Sequence, residues 1–389
     1  MMEDTECART MYKYKDCVHI PVLTFVDDAM TVSECGPNSV KMNAYMQSKV
    51  ETKKLKLGET KCKNMHIGNN QIACPKLKVH GQEMQTSDRE KYLGDVITSS
   101  AKIDENVQMR HDKGIGISNQ IMSTLKEVSF GVFHFEMGLL FRTTQLINGI
   151  LFNTEALFSI TEKHILLLED CDKYLMRSLF NAEMGTPIES FFIETSTIPI
   201  RFIIQARRIM FYWTMLRKNK EELAKRVFLA MKEFPDKTDW YSQVKKDLTE
   251  CCIEETEDEI KAMSEYKLKN LLREKIKENS QDYLTTLQVK HSKSLYLHQG
   301  PKMQEYLYCS QLTIKQKQLL FKLRSGVTPN KANFKTKYQN DLSCILCKRA
   351  GTVENLQHLL SCTFLMNQTQ LKRDIEVIKC NDIDGSLES

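Results

Sequence analysis

Four residues, Cys344, Cys347, His358 and Cys362, follow one another as Cys-x2-Cys-x10-His-x3-Cys. No other feature of the chain restricts its local fold so tightly. Zinc takes four ligands in a tetrahedron, and three thiolates with one imidazole are a common structural set. A Cys-x2-Cys pair turns both thiolates toward one ion from a tight turn. His358 and Cys362 are spaced to share one face of a helix, one turn apart. Glu354 stands near the start of that predicted helix, where a carboxylate suits the dipole. Leu356, Leu359 and Leu360 supply apolar packing, and Gly351 lets the chain turn between the ligand pairs. Four protein ligands leave no open position, so the expected Zn2+ is structural. Such a site contributes on the order of 10 kcal/mol to folding a small module. The chain has 13 cysteines. An odd count without a secretory leader points to reduced thiols and an intracellular chain, in cytoplasm or nucleus. The adjacent Cys251-Cys252 pair is a poor joint ligand and reads as structural.

Net charge of +5 says little about partners, whereas its distribution says more. From Gln311 to Arg349 nine Lys/Arg stand against the single acid Asp341. Four of them, Lys322, Arg324, Lys335 and Lys337, lie close to Phe321, Phe334 and Tyr338. Cations interleaved with aromatics suit a phosphate backbone with bases stacked nearby, so these four are candidate nucleic-acid contacts. A second basic stretch covers residues 201–246, and an acidic run follows from Glu250 to Glu259.

Residues up to about 100 read as mixed α and β. His19–Phe25 and Ala29–Ser33 are β-leaning runs on either side of Asp27-Asp28, which predicts a hairpin. Two adjacent carboxylates at a hairpin tip suit hard Mg2+ ions, which take carboxylate and phosphate oxygens. Gly36-Pro37-Asn38 predicts a helix start, with helix over Val40–Val50. Short strands are predicted in Cys62–Gly68, Leu77–His80 and Tyr92–Thr98. Beyond residue 101 helical periodicity dominates, over Asn106–Val128, Leu139–Phe158, Glu162–Phe180, Pro199–Arg217, Glu221–Phe234 and Asp258–Ser280. Ile165, Leu168, Tyr174, Leu175 and Leu179 form the expected apolar stripe of the third of these. Arg142, Glu155, Glu194 and Arg201 interrupt the longest apolar stretches, so no membrane span is expected.

The order of these features resembles the C-terminal part of a non-LTR (LINE-like) retrotransposon reverse transcriptase. Phe25-Val26-Asp27-Asp28, a helix, a Lys-bearing segment from Leu55 to Gly68, and Lys91-Tyr92-Leu93-Gly94 follow the sequence of palm motifs in that family. The resemblance implies catalytic roles for Asp27 and Asp28, which would bind Mg2+. It places Lys61 near an incoming nucleotide, where relatives often carry Asn at the position of Gly58. It also makes Lys91, Tyr92, Leu93 and Gly94 a primer-grip hairpin. Asn106-x3-Arg110-x2-Lys113-Gly114, Glu189-x4-Glu194, Pro199-x-Arg201 and Arg207-Arg208 are similar to the helical thumb and post-thumb region. Leu323-Arg324-Ser325-Gly326 leads into what resembles the family's C-terminal zinc knuckle.

The expected fold is therefore an α+β N-terminal palm remnant, a mainly α-helical thumb and connection region, and a small zinc-binding module. The expected segments are 1–100 (partial palm), 101–260 (helical thumb and post-thumb), 261–314 (charged helical linker) and 315–389 (basic module with the knuckle). The family's polymerases need a further Asp and fingers upstream of the Asp-Asp hairpin, yet 26 residues precede Asp27. The expectation is a truncated RNA-directed DNA polymerase, inactive alone or completed by a longer reading frame or partner, on an RNA template with a DNA primer. A retroelement-derived protein that binds RNA without chemistry is the alternative, and a pseudogene product with no role is a third.

Overall fold

The computed structural model describes residues 12–15, 18–20, 22–25, 28–68, 74–157, 160–290, 303–327 and, singly, 343, 344, 347, 353 and 358. A region of small sheets with one helix comes first, then a long helical region, then a C-terminal Cys/Cys/His cluster. The chain divides into two units. One comprises Met1–Gln120, Arg142–Asp172 and Pro199–Ser280, the other Ile121–Phe141, Lys173–Ile198 and Gln281–Ser389.

The strands are short: β1 (Tyr12–Tyr14), β2 (Val18–Ile20), β3 (Leu23–Phe25), β4 (Asp28–Met30), β5 (Lys63–Asn64), β6 (Lys78–Val79), β7 (Gln82–Glu83), β8 (Gln85–Thr86), β9 (Arg89–Tyr92) and β10 (Asp95–Thr98). They pair two by two. β1–β2, β3–β4, β6–β7 and β9–β10 are antiparallel and β5–β8 is parallel. Two-stranded ladders are marginal on their own, and here helix α1 (Gly36–Thr52) packs against them. Its Met42 is buried against Val22 and Tyr45. Its Asn43 and Gln47 amides donate to the Lys78 carbonyl at 2.8 and 2.7 Å. The helix begins at the Gly36-Pro37 break, with proline in its first turn, where a missing N–H costs nothing.

The helical region contains α2 (Asp104–Val128), α3 (His134–Phe141), α4 (Glu162–Phe180), α5 (Ile188–Thr195), α6 (Ile200–Arg217), α7 (Leu223–Glu233), α8 (Trp240–Glu250), α9 (Glu257–Ala262), α10 (Glu265–Lys290) and α11 (Ile314–Arg324). Three expectations are corrected here. The continuous helix over Leu139–Phe158 is broken: α3 widens into a π-helical stretch at Arg142–Ile147, and Asn153 takes a left-handed conformation. The helix over Asp258–Ser280 is two helices, because the Met263 carbonyl accepts from Trp213 Nε1 (3.1 Å) and Arg217 Nη1 (3.2 Å) instead of continuing the ladder. In α4, Leu168, Leu175 and Leu179 are buried but Tyr174 is exposed; the buried stripe runs through His164, Cys171 and Met176 instead. Helix α8, absent from the sequence reading, starts where the Asp239 carboxylate accepts from the Ser242 N–H at 2.8 Å.

Each unit has an aromatic core. In the first, Phe228 meets Tyr212, Trp240 and Tyr241 with ring centroids 5.6 to 6.2 Å apart. In the second, Phe180 lies 4.9 Å from Phe135 and 4.3 Å from Phe321, and Phe191 stacks on Phe321 at 5.0 Å. Phe321 is thus a core residue, not a surface for stacking bases, because it lies on the inner face of α11. Among the described residues, no helix is long and apolar enough to cross a membrane.

Candidate metal centre and hairpin pair

Cys344, Cys347 and His358 converge as the sequence spacing predicts, their ligand atoms all within 4.8 Å of one another. Cys347 Sγ and His358 Nε2 are 3.4 Å apart. Cys344 is buried, while Cys347 and His358 are half-buried. A bridge pairs Ser343, the residue before Cys344, with Val353. Two thiols and an imidazole gathered this closely can chelate a metal ion. Among the described residues this is the group of three or more ligating side chains that comes together. Cys362, the expected fourth ligand, lies outside the described residues, as do Lys335 and Lys337.

The Asp-Asp hairpin forms. β3 and β4 pair with Phe25 opposite Asp28, and Asp28 is exposed at the start of β4. Asp27 lies outside the described residues. A second hairpin joins β9 to β10, with Tyr92 opposite Asp95. Leu93 and Gly94, its two turn residues, both have positive φ, 50° and 92°. That combination is the type I′ turn whose twist matches a two-residue hairpin. Glycine supplies the second position without strain, whereas Leu93 sits there exposed. The Tyr92 hydroxyl donates to the Leu23 carbonyl at 3.3 Å, joining the two hairpins side by side. Lys91 is exposed. Lys61 is also exposed, in a turn where its N–H donates to the Gly58 carbonyl at 3.0 Å.

Sequence reasoning missed the polar knot that holds the second hairpin. Asp95, the residue after Gly94, accepts from Arg110 and from Asn106 (3.1 Å) with one oxygen and from Asn153 (2.7 Å) with the other. Arg110 also donates to Asn106 (2.6 Å) and to the carbonyls of Ile150 (3.1 Å) and Phe152. The Asn106-x3-Arg110 spacing, one helical turn, was the available signal. Gly114 on the same helix admits Cys171 so closely that a Cβ there would lie 2.6 Å from its sulfur.

The other motif arginines are also held by neighbouring groups. Arg201 pairs with Glu169 at 2.8 Å and Glu162 at 2.9 Å, and Arg208 with Asp247 at 2.7 Å. Arg207 donates to the Leu151 carbonyl at 2.8 Å and to Asn148 at 2.7 Å. In the second unit, Arg324 Nε donates to both oxygens of the fully buried Glu194, at 2.9 and 3.1 Å. Lys317 is buried, its ammonium donating to the Leu307 carbonyl at 2.8 Å and the Val132 carbonyl at 3.2 Å. Burial lowers its pKa, and beside it His134 is lowered by burial and by the Lys317 charge. Lys322 is half-buried. Compared with known proteins, the chain matches no protein-family model and no curated protein.

Proposed function

We propose that this chain is a nucleic-acid-holding portion of a reverse transcriptase of the non-LTR retrotransposon type, with the Cys/Cys/His cluster completed by Cys362 as a structural Zn2+ knuckle. The observation that carries the reading is the convergence of Cys344, Cys347 and His358. Zinc–sulfur and zinc–nitrogen bonds of about 2.3 and 2.0 Å set the edges of a tetrahedron at about 3.5 Å. The 3.4 Å between Cys347 and His358 suits such an edge. Support for palm ancestry comes from two hairpins in the family's order, bonded to each other through Tyr92 and Leu23. On this reading Asp27 and Asp28 are the Mg2+ carboxylates of the intact polymerase. Mg2+ there would supply the charge that activates a primer hydroxyl and stabilises the leaving pyrophosphate. The second reading, RNA binding without chemistry, is favoured by the exposure of Asp28, because a solvated carboxylate holds a cation weakly.

Metal analysis of the purified full chain tests the knuckle. About one zinc per chain is expected. Cys344→Ser should release it, unfold the module and weaken RNA binding, and a metal-free wild type would remove the claim. Mg2+-dependent primer extension on an RNA template then separates the two readings. Extension lost in Asp27→Ala/Asp28→Ala identifies a polymerase. RNA binding without extension leaves a binding protein.

A further inference from the structure

The C-terminal end of α1 concentrates positive charge that the fold does not consume. Lys49, Lys53, Lys54 and Lys56 are all exposed. Across residues 49–56 these four lysines stand against one acid, Glu51, which faces His80 Nδ1 at 3.6 Å. Lys56 approaches Glu59 at 3.7 Å, a solvent-exposed pair worth little. Lys49 lies over the Tyr45 ring, 5.1 Å from its centroid. Lys78, exposed on β6, is held beside the same helix by Asn43 and Gln47.

The backbone gives a second reason to single out this end. The Leu55 N–H donates to the Val50 carbonyl at 3.0 Å and the Lys54 N–H to the Glu51 carbonyl at 2.8 Å. This is a Schellman cap, whose turning residue adopts a left-handed conformation and is usually glycine. Here that residue is Lys54, with φ of 56°. A side chain at this position strains the backbone where glycine would not. Opposing the helix dipole accounts for Lys49 in the last turn and for Lys53 at the cap. It does not account for Lys54 in a strained position, or for Lys56 beyond it. The reversal spreads three ammonium groups around one helix end.

We propose that Lys49, Lys53, Lys54 and Lys56 form a phosphate-contact surface that grips an RNA backbone independently of base sequence. The proposal rests on the reading of the chain as a nucleic-acid-holding protein and names the surface that does the holding. Lysine ammoniums are mobile point charges, suited to phosphates and not to reading base edges. Neutralising phosphates releases condensed counterions, so binding through this surface must weaken steeply with salt.

The test is fluorescence anisotropy of the zinc-loaded full chain with a labelled 20-nucleotide oligouridylate, from 50 to 300 mM KCl. Removing four contacts in Lys49→Gln/Lys53→Gln/Lys54→Gln/Lys56→Gln should lower the slope of log affinity against log salt by about 3, and affinity at 100 mM by on the order of 100-fold. Lys54→Gly should raise thermal stability by relieving the strain while weakening RNA binding several-fold. Unchanged binding in both variants would overturn the proposal. If Cys344→Ser alone then abolished binding, the knuckle reading would stand without it. Lysine-dependent binding by a zinc-free chain would support this surface while removing the knuckle. Wild type that binds polyglutamate as tightly as RNA, with the same slope, would mark a general polyanion surface and overturn the assignment to RNA. A zinc-loaded wild type that binds no RNA would overturn this surface and the nucleic-acid-holding reading, leaving only the metal site.

Discussion

The helical region buries arginines, whereas the small-sheet region buries none among its described residues. In the helical region three arginines are buried, while Arg217, Arg226 and Arg273 remain exposed. Arg110, Arg142 and Arg208 are each at most 4% exposed, and each holds a carboxylate. In the small-sheet region the exposed cations are mostly lysines, at positions 49, 53, 54, 56, 61 and 91, with Arg89 on β9 also exposed. The division follows from side-chain chemistry. A guanidinium is planar, presents five donors and is less strongly hydrated than an ammonium, so it tolerates burial against a carboxylate. The lesson is that a basic stretch in sequence is not a basic surface. Of the nine cations between Gln311 and Arg349, Lys317 is buried and Arg324 is held by Glu194.

The largest expected effect lies in the buried pair of Arg142 and Asp172. Two parallel hydrogen bonds of 2.6 Å join them, and each side chain is no more than 3% exposed. Arg142→Ala leaves Asp172 buried without its partner and should cost about 3–5 kcal/mol. Urea unfolding measures it. A loss below about 1 kcal/mol, the range of surface pairs, would break the comparison.

Next comes a pH effect at Asp247, whose partner Arg208 makes only one bond to it and keeps a buried Nε without a partner among the described residues. Burial pushes the Asp247 carboxyl up from 3.8 to about 6, with Arg208 pulling the other way less strongly. A raised folded pKa means the native state holds the proton more firmly than the unfolded chain. The contribution is fully present below about pH 4 and is lost as pH rises through about 6, by roughly 1–3 kcal/mol. Comparing urea midpoints at pH 4.5 and 7 in wild type and Asp247→Asn isolates it. An identical pH difference in both would show that Asp247 titrates normally, and that a single-bonded arginine suffices to hold a buried charge.

What the sequence made legible sorts along the same division. Glu162–Phe180 is a helix over its expected span because Leu168, Leu175 and Leu179 recur at helical spacing on its buried face. The Cys344, Cys347 and His358 cluster was legible because ligand spacing is a local constraint. The hairpin at Leu93-Gly94 was not legible in the β-leaning pattern, which predicts one strand over Tyr92–Thr98; a turn there is expected only from the family resemblance of Lys91–Gly94. The break at Met263 was not legible either, since its cause is two side chains about fifty residues earlier, Trp213 and Arg217. The inward arginines were illegible for a related reason. Asp95 with Arg110, or Glu194 with Arg324, meet only through tertiary packing, and a charge in sequence carries no mark of the side it will face.

The smallest expected effect is on the exposed side of the division. Lys63 on β5 and Glu90 on β9 approach to 2.6 Å, each about one-third exposed. The hydrogen bond from Lys63 holds the Glu90 carboxyl below its ordinary range. A lowered acid pKa contributes stability above the unfolded value of 4.5 that fades as pH falls through the folded one. Solvent nevertheless screens a pair this open, and the two side chains lose freedom to meet. Lys63→Ala should therefore cost at most about 1 kcal/mol at neutral pH, and less still in 1 M salt. Paired urea titrations at 0.05 and 1 M KCl measure both. If the loss instead matched that of Arg142→Ala and ignored salt, the lysines of the small-sheet region would be as structural as the buried arginines. The contrast between the two regions would then reduce to residue type alone.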